Sequence, residues 1–303
     1  MSHAFPIWRS LLFVPAHITK FTDKAHQRGA DACILDLEDS VGPGQKEQAR
    51  EAAGSAAWTI AGHGLDVLVR INAPENGGLL DLESVVGLTV RAVVLPKVAS
   101  AEVIRLVGMC LDRLEAEREM PVGHTLLLAQ IEDVAALPLL DEIAQASPRL
   151  MGMSLGPEDF SVSAGMEPVP ETLFWPNQQV AFACRRAGIL PFGFPGSIAD
   201  FSDLSRFHQT IVMGRQLGMV GAFCIHPDQV GVLNEVFCPG EAEVEYSLGL
   251  LAEYASAEAE GRGAFAYRGR MIDAPVVARA REVLSRHLAV ERRRHTSPSA
   301  TRQ

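Results

Sequence analysis

Residues 125–160, TLLLAQIEDVAALPLLDEIAQASPRLMGMSLGPEDF, decide how the rest of the chain is read. The run 126–131 is apolar and stops at Glu132 and Asp133; the run 150–155 is apolar and stops at Gly156, Pro157, Glu158 and Asp159. Between them apolar residues recur at helical spacing, so the unit reads strand, helix, strand. A right-handed crossover leaves two such strands parallel and sends both carboxylate-bearing ends the same way. In α/β folds ligands collect at that end. Two oxygen donors on neighbouring strand tips, with no local Cys or His cluster, suit a hard cation that keeps several waters, Mg²⁺ ahead of Zn²⁺ or Ca²⁺. Glu132 and Asp159 are the candidate pair. The competing reading is that acids open the following helices, where they meet the positive end of the dipole and cap free N–H groups. Asp133 and Glu158 are assigned that role.

Upstream the pattern repeats. Residues 10–14 (SLLFV) form a short buried strand ended by Pro15, and residues 17–28 read as a helix stopped by Gly29, with Lys20 and Lys24 four apart on one face. Only four lysines occur, at 20, 24, 46 and 97. Two of them beside the first strand's end make a phosphate-bearing ligand a rival to a merely solvated face. Residues 31–37 (DACILDL) are a second strand, whose end carries Asp36, Glu38 and Asp39. Residues 66–71 (DVLVRI) are a third, ending at Arg70, whose planar fork suits a carboxylate on a substrate or a structural ion pair. Residues 91–95 (RAVVL) are a fourth, followed by Pro96 and Lys97. After the two strands quoted first come 189–194 (ILPFGF) and 221–225 (GAFCI), with helical patterns between. Eight strand-plus-helix units in a chain of this length describe a (β/α)8 barrel, with a doubly wound sheet as the alternative. No GxGxxG or P-loop pattern follows a strand.

The 303 residues are 48% hydrophobic and 21% charged, without an apolar run near the length of a membrane span, as expected for a soluble chain with ample core. The N-terminus lacks a signal-peptide pattern, so a cytoplasmic location is the expectation. Five widely spaced cysteines contain no CxxC, which argues against a disulfide framework or a zinc site. A net charge of −10 argues against a nucleic-acid surface. The expected organisation is a barrel over residues 1–238, a helical lid over 239–290, and a basic, then polar, disordered tail over 291–303. Asp273, just before Pro275, is a capping carboxylate on the simplest reading.

Several quoted stretches together resemble the citrate lyase β-subunit-like acyl-CoA lyases of the HpcH/HpaI aldolase superfamily. RSLLFVPA, ADACILDLEDSV, VRIN, VVLPKV, IED, LGPEDF, CIHPDQ with VLNEVF, and GAFAYRGRMID follow the family's order from Arg9 to about residue 284. The resemblance implies a (β/α)8 barrel with Mg²⁺ held by Glu132 and Asp159. It implies that Arg70 holds the keto-acid end of the substrate, and that Asp36 and Glu38, with Asp39 less central, hold metal-bound water. It further implies that Phe13, Lys20 and Lys24 contact the coenzyme A moiety and that Asp273 exchanges a proton from an adjacent subunit. The implied assembly is a homotrimer or hexamer, and the implied reaction cleaves a citramalyl-, malyl- or citryl-CoA type thioester to acetyl-CoA and a 2-keto acid.

Three rivals remain: a malyl-CoA thioesterase, an aldolase acting on free pyruvate, and a lyase subunit that works only with an acyl-carrier protein. The chain departs from the family pattern at Ala16-His17, where Gly and a small polar residue are usual, and at Asp133, where Thr is usual. Both departures point to altered substrate choice rather than lost chemistry.

Overall fold

Alternation of side chains along short apolar strands closes the first part of the chain into a ring. The computed structural model describes residues 5–199 and 201–296. The chain divides into two units, Met1–Val236 and Phe237–Gln303. The first contains eight parallel strands: β1 (Ser10–Pro15), β2 (Ala32–Asp36), β3 (Asp66–Arg70), β4 (Val90–Leu95), β5 (Leu126–Ile131), β6 (Leu150–Leu155), β7 (Leu190–Phe192) and β8 (Ala222–Cys224). Their order is β7-β6-β5-β4-β3-β2-β1-β8, and a bridge between Phe192 and Gly221 joins the two outer members. This is the expected (β/α)8 barrel.

Helices alternate with the strands: α1 (Thr19–Thr22), α2 (Lys46–Gly62), α3 (Gly78–Val85), α4 (Ala101–Glu117), α5 (Leu140–Ala144), α6 (Pro157–Ala164), α7 (Pro170–Ala187), α8 (Leu204–Gln216) and α9 (Pro227–Val236). One expected helix is not continuous. Residues 17–28 form α1 and then a separate 3-10 turn, Ala25–Arg28, before Gly29 at φ 73. Lys24 is the flanking residue of that turn rather than the next step along the helix of Lys20.

The barrel interior is filled by Leu11, Ile34, Leu68, Ala92, Val94, Leu128, Met151 and Phe192, joined by Trp8 and Phe223 from the ring's beginning and end. Successive inward positions on a strand are two residues apart. The next inward position above Leu11 is therefore Phe13, above Ile34 Asp36, above Leu68 Arg70, above Leu128 Gln130, and above Phe223 Ile225. One periodicity makes both the dry core and the mouth above it. Register aligns that mouth, since Pro15 pairs with Asp36 and Asp36 with Arg70.

At the opposite rim, the starts of β5 and β6 are tied by a buried ion pair. Arg149 Nη1 and Nη2 donate to the Glu115 carboxylate at 3.0 and 2.6 Å, and the same carboxylate accepts from the N–H groups of Thr125 and Gly123 at 2.7 Å each.

The second unit comprises α10 (Glu241–Ala259), an antiparallel hairpin of β9 (Phe265–Tyr267) and β10 (Arg270–Ile272), and α11 (Ala274–Thr296). Leu250, Ala257, Phe265, Ile272, Val277 and Ala280 give it a core of its own. Helix α11 runs through residues 291–296, which composition assigns to a disordered tail; 297–303 lie outside the described residues.

Candidate active site at the barrel mouth

A cavity of about 430 Å³ opens at the C-terminal ends of the strands. Phe13, Asp36, Arg70, Gln130 and Ile225, the inward residues just above the core, line it together with Asp39, Glu132, Glu158 and Asp159. Ile198 and Ile225 add apolar side chains to the same wall.

Arg70 is the fixed cation of the site. Its Nε and Nη2 donate to the two oxygens of Asp36 at 2.7 and 2.8 Å, the bidentate fork expected between a guanidinium and a carboxylate. Its Nη1 lies 3.2 Å from Glu38 and 3.5 Å from Asp39, and its guanidinium carbon sits 4.6 Å above the centre of the Phe13 ring. Burial works against the charge of Arg70, but the Asp36 fork outweighs it and raises the pKa further. Asp36 is likewise opposed by burial, yet Arg70 and the N–H groups of Ser40 and Glu38 hold its carboxyl below the usual range. In the geometry Asp36 orients Arg70, and the Nη1 edge is the one turned toward the remaining acids.

The loop after β2 that carries Glu38 and Asp39 is held from beneath. Lys46 Nζ donates to the carbonyls of Leu37 and Glu38 and to Asn72 Oδ1, at 2.7–2.8 Å. Asn72 is fixed in turn by Asp81, and Asp81 by Arg50. Glu38 is itself buried, and burial raises its pKa against the pull of Arg70 and Lys97.

Glu132 and Asp159, the candidate metal pair, both line the cavity but differ in setting. Glu132 is 6% exposed; burial first, then the charges of Glu38 and Asp159, push its carboxyl up to about 8. Its Oε2 accepts from the N–H of Lys97 at 3.1 Å, and its Oε1 lies directly against Gly156. Asp159 is half open to solvent in the first turn of α6. A buried carboxylate crowded by two others, in a cavity whose wall also holds the buried and unpartnered Gln130 Oε1, is a setting that a divalent cation would relieve. Among the described residues no group of three or more His, Cys, Asp or Glu side chains closes around a metal by itself. Two hard oxygen donors with room for water and a chelating substrate fit Mg²⁺. Asp133 caps the turn that follows, accepting from Ala135 N–H at 2.9 Å, as its sequence position suggests.

A residue to which sequence gave no role stands at the centre. Lys97, just past β4, places its Nζ 2.7 Å from Glu38, 3.7 Å from Asp39 and 3.9 Å from Asp159. Gln130 and Ile198 are likewise part of the wall without having been singled out.

A second cavity of about 530 Å³ adjoins the first and shares Phe13, Pro15 and Ile225 with it. Phe21, Ala25 and Arg28 form its outer wall, and the exposed Lys20 and Lys24 flank these residues in the chain. Asp273 belongs to the second unit, where it is exposed at the start of α11 and its carbonyl accepts from the N–H groups of Val276 and Val277 at 3.1 Å.

The model of the HpcH/HpaI aldolase/citrate lyase family matches residues 9–227. An L-malyl-CoA/beta-methylmalyl-CoA lyase of Rhodobacter capsulatus is 33% identical, the match covering 91% of this chain and 93% of the relative. The citrate lyase subunit beta of Escherichia coli is 34% identical, covering 92% of each. Among solved structures, the protein CitE from Mycobacterium tuberculosis, in complex with magnesium, acetoacetate and coenzyme A, is 26% identical, with a TM-score of 0.70 over 95% of this chain and 99% of that one. Ring closure, acid-rich mouth and these likenesses over nearly the whole length agree: the chain belongs to the HpcH/HpaI aldolase/citrate lyase family.

Proposed function

We propose that this protein is a Mg²⁺-dependent carbon–carbon lyase that cleaves a 3-hydroxyacyl-CoA of the citramalyl-, malyl- or citryl-CoA type into acetyl-CoA and a 2-keto acid. The observation that carries this reading is the buried, crowded carboxylate of Glu132 beside Asp159 and the cation Arg70. Relatives named as malyl-CoA and citrate lyases, and a magnesium- and coenzyme A-bound structural neighbour, support it.

Glu132 and Asp159 would hold the metal, which when bound polarises the carbonyl that forms in the keto acid. Arg70 binds and orients the keto-acid carboxylate through the Nη1 edge that Asp36 leaves free. Glu38 and Asp36 fix the polar floor, including ordered water. The thioester arm lies in the second cavity, with the phosphates of coenzyme A near Lys20 and Lys24, and Phe13 separates the arm from the reacting end. In cleavage the substrate's hydroxyl loses its proton to the carboxylate-rich rim and becomes the keto-acid carbonyl. The bond to the thioester's α-carbon breaks, its electron pair becomes the thioester enolate, and the α-carbon takes a proton from Asp273 to give acetyl-CoA. Asp273 is assigned to an adjacent subunit, so the working form is a homo-oligomer, a trimer or hexamer.

The test offers (S)-citramalyl-CoA, malyl-CoA and citryl-CoA in turn to purified protein with Mg²⁺, following keto acid and free thiol together, with EDTA as the control. Keto acid that depends on Mg²⁺ and appears without equivalent thiol is the expected result. Thiol without keto acid would make the protein a thioesterase, and no product from any of the three would refute the substrate class.

A further inference from the structure

Lys97 is one of three non-glycine residues among the described ones with positive φ, at 53°, a backbone region that favours glycine. A long side chain kept in that conformation points to a function for the side chain. The turn lets one residue reach acids from the ends of three strands. Its N–H meets Glu132 Oε2 at 3.1 Å, while its ammonium meets Glu38 at 2.7 Å and stands within 4 Å of both Asp39 and Asp159. The first grip belongs to the backbone and survives any substitution but proline. The second is a charge at the end of a half-exposed side chain.

Asp39, Glu132 and Asp159 line one opening, Glu38 is buried within reach of Lys97, and Arg70 commits its fork to Asp36 while its Nη1 lies 3.2 Å from Glu38 and 3.5 Å from Asp39. We infer that the Lys97 ammonium is the internal counter-ion of this acid face, a positioning residue that holds the carboxylates together and shares Asp159 with the divalent cation. This rests on Glu132 and Asp159 being the metal pair. Two cations drawn to one carboxylate repel each other, so the ammonium opposes metal binding and gives way when the metal enters. Its cost in affinity is the counterpart of its benefit to the unloaded acid face.

The experiment compares full-length wild type with Lys97→Met, which removes the charge and keeps the stem, and Lys97→Gly, which removes the charge, suits the positive φ and keeps the N–H to Glu132. Mg²⁺ binding is read by calorimetric titration, and thermal midpoints are read with and without MgCl₂. Both variants are expected to bind Mg²⁺ roughly tenfold more tightly, the order of a like charge at contact range in partly solvated surroundings. Both are also expected to show a larger Mg²⁺-induced rise in Tm than wild type. A purely structural lysine would lower both midpoints equally and leave the increment unchanged. An equal or smaller increment, or weaker binding, in the variants with a responsive wild type overturns this inference alone. A wild type with no response to Mg²⁺ overturns the metal assignment and this inference together.

Discussion

Replacing Gly156 by alanine isolates the placement of Glu132. A Cβ at this position would lie 2.5 Å from Glu132 Cγ, 2.7 Å from Oε1 and 3.0 Å from Cδ, with no backbone atom among the three nearest. Ordinary contact begins near 3.4 Å, so the Glu132 side chain must retreat by about 1 Å from the position in which its Oε2 accepts from the N–H of Lys97. The backbone accepts the change, because φ −88 and ψ 102 are open to alanine. Alanine gains ~0.4–1 kcal/mol by restricting the unfolded chain, against ~1–3 kcal/mol for crowding a packed site. The net loss, at most ~2.6 kcal/mol, lowers Tm by no more than about 5–10 °C. A reacting or chelating group displaced by 1 Å can cost a factor of about 100. Gly156→Ala should therefore lower kcat/KM about 100-fold and raise the Mg²⁺ activation constant, while far-ultraviolet dichroism stays close to wild type and the protein remains folded at the assay temperature. Steady-state kinetics across a Mg²⁺ series measures both constants. Wild-type turnover and Mg²⁺ dependence in this variant would refute the argument that the Glu132 carboxylate works from its observed position.

Other consequences are equally accessible. Glu115→Gln should cost about 3 kcal/mol at pH 7, because it leaves Arg149 as a buried charge without its full partner. Burial alone would raise the Glu115 pKa, but Arg149 and the two N–H donors hold it below its ordinary 4.5. Its contribution is therefore complete above pH 4.5 and is lost as pH falls through the lowered folded value, so urea midpoints of wild type and variant should converge in acid. A gap that stays constant from pH 7 to pH 3 would count against this account. Arg70→Lys keeps the charge but loses the fork to Asp36 and the stack on Phe13, and kcat/KM should fall about 100-fold or more; a near-normal value would mean the planar geometry is not used. Asp273→Asn should abolish lyase turnover with Mg²⁺ affinity, read by titration, unchanged; full activity would remove Asp273 from the proton transfer.

What the sequence disclosed follows from which patterns survive folding. Strand tips marked Glu132, Asp159, Arg70 and Asp36, because a carboxylate or guanidinium that ends an apolar run is visible in one dimension, and the barrel brings all four to one cavity. Gln130 lies inside its apolar run, where it carries no mark of a strand tip; only the alternation set by Leu128 in the core places it at the mouth. Lys97 was hidden differently. Its left-handed backbone would be legible had the residue been glycine, and nothing in VVLPKV signals it. The break between α1 and the following 3-10 turn was also concealed, since residues 17–28 keep an apolar spacing compatible with one helix while the chain bends at Asp23 and Lys24. The role proposed for Asp273 would turn on subunit association, which neither periodicity nor a strand tip encodes.

The ring is closed less firmly at one place than elsewhere. Every other neighbouring pair of strands is aligned over at least three residues, whereas β7 and β8 meet, among the described residues, through the bridge from Phe192 to Gly221 and the hydrogen bonds Gly193 N–H to Gly221 O and Val220 N–H to Pro191 O, each 2.9 Å. Local opening is least costly where fewest ladder bonds must part. In a hydrogen-exchange experiment the amides of Gly193 and Val220 should lose protection before those of β2 to β5. The barrel then has a seam, and the segment that follows β7, with Ile198 in the cavity wall, hangs from it. A chain of this design can loosen beside its substrate without disturbing the strands that carry its carboxylates.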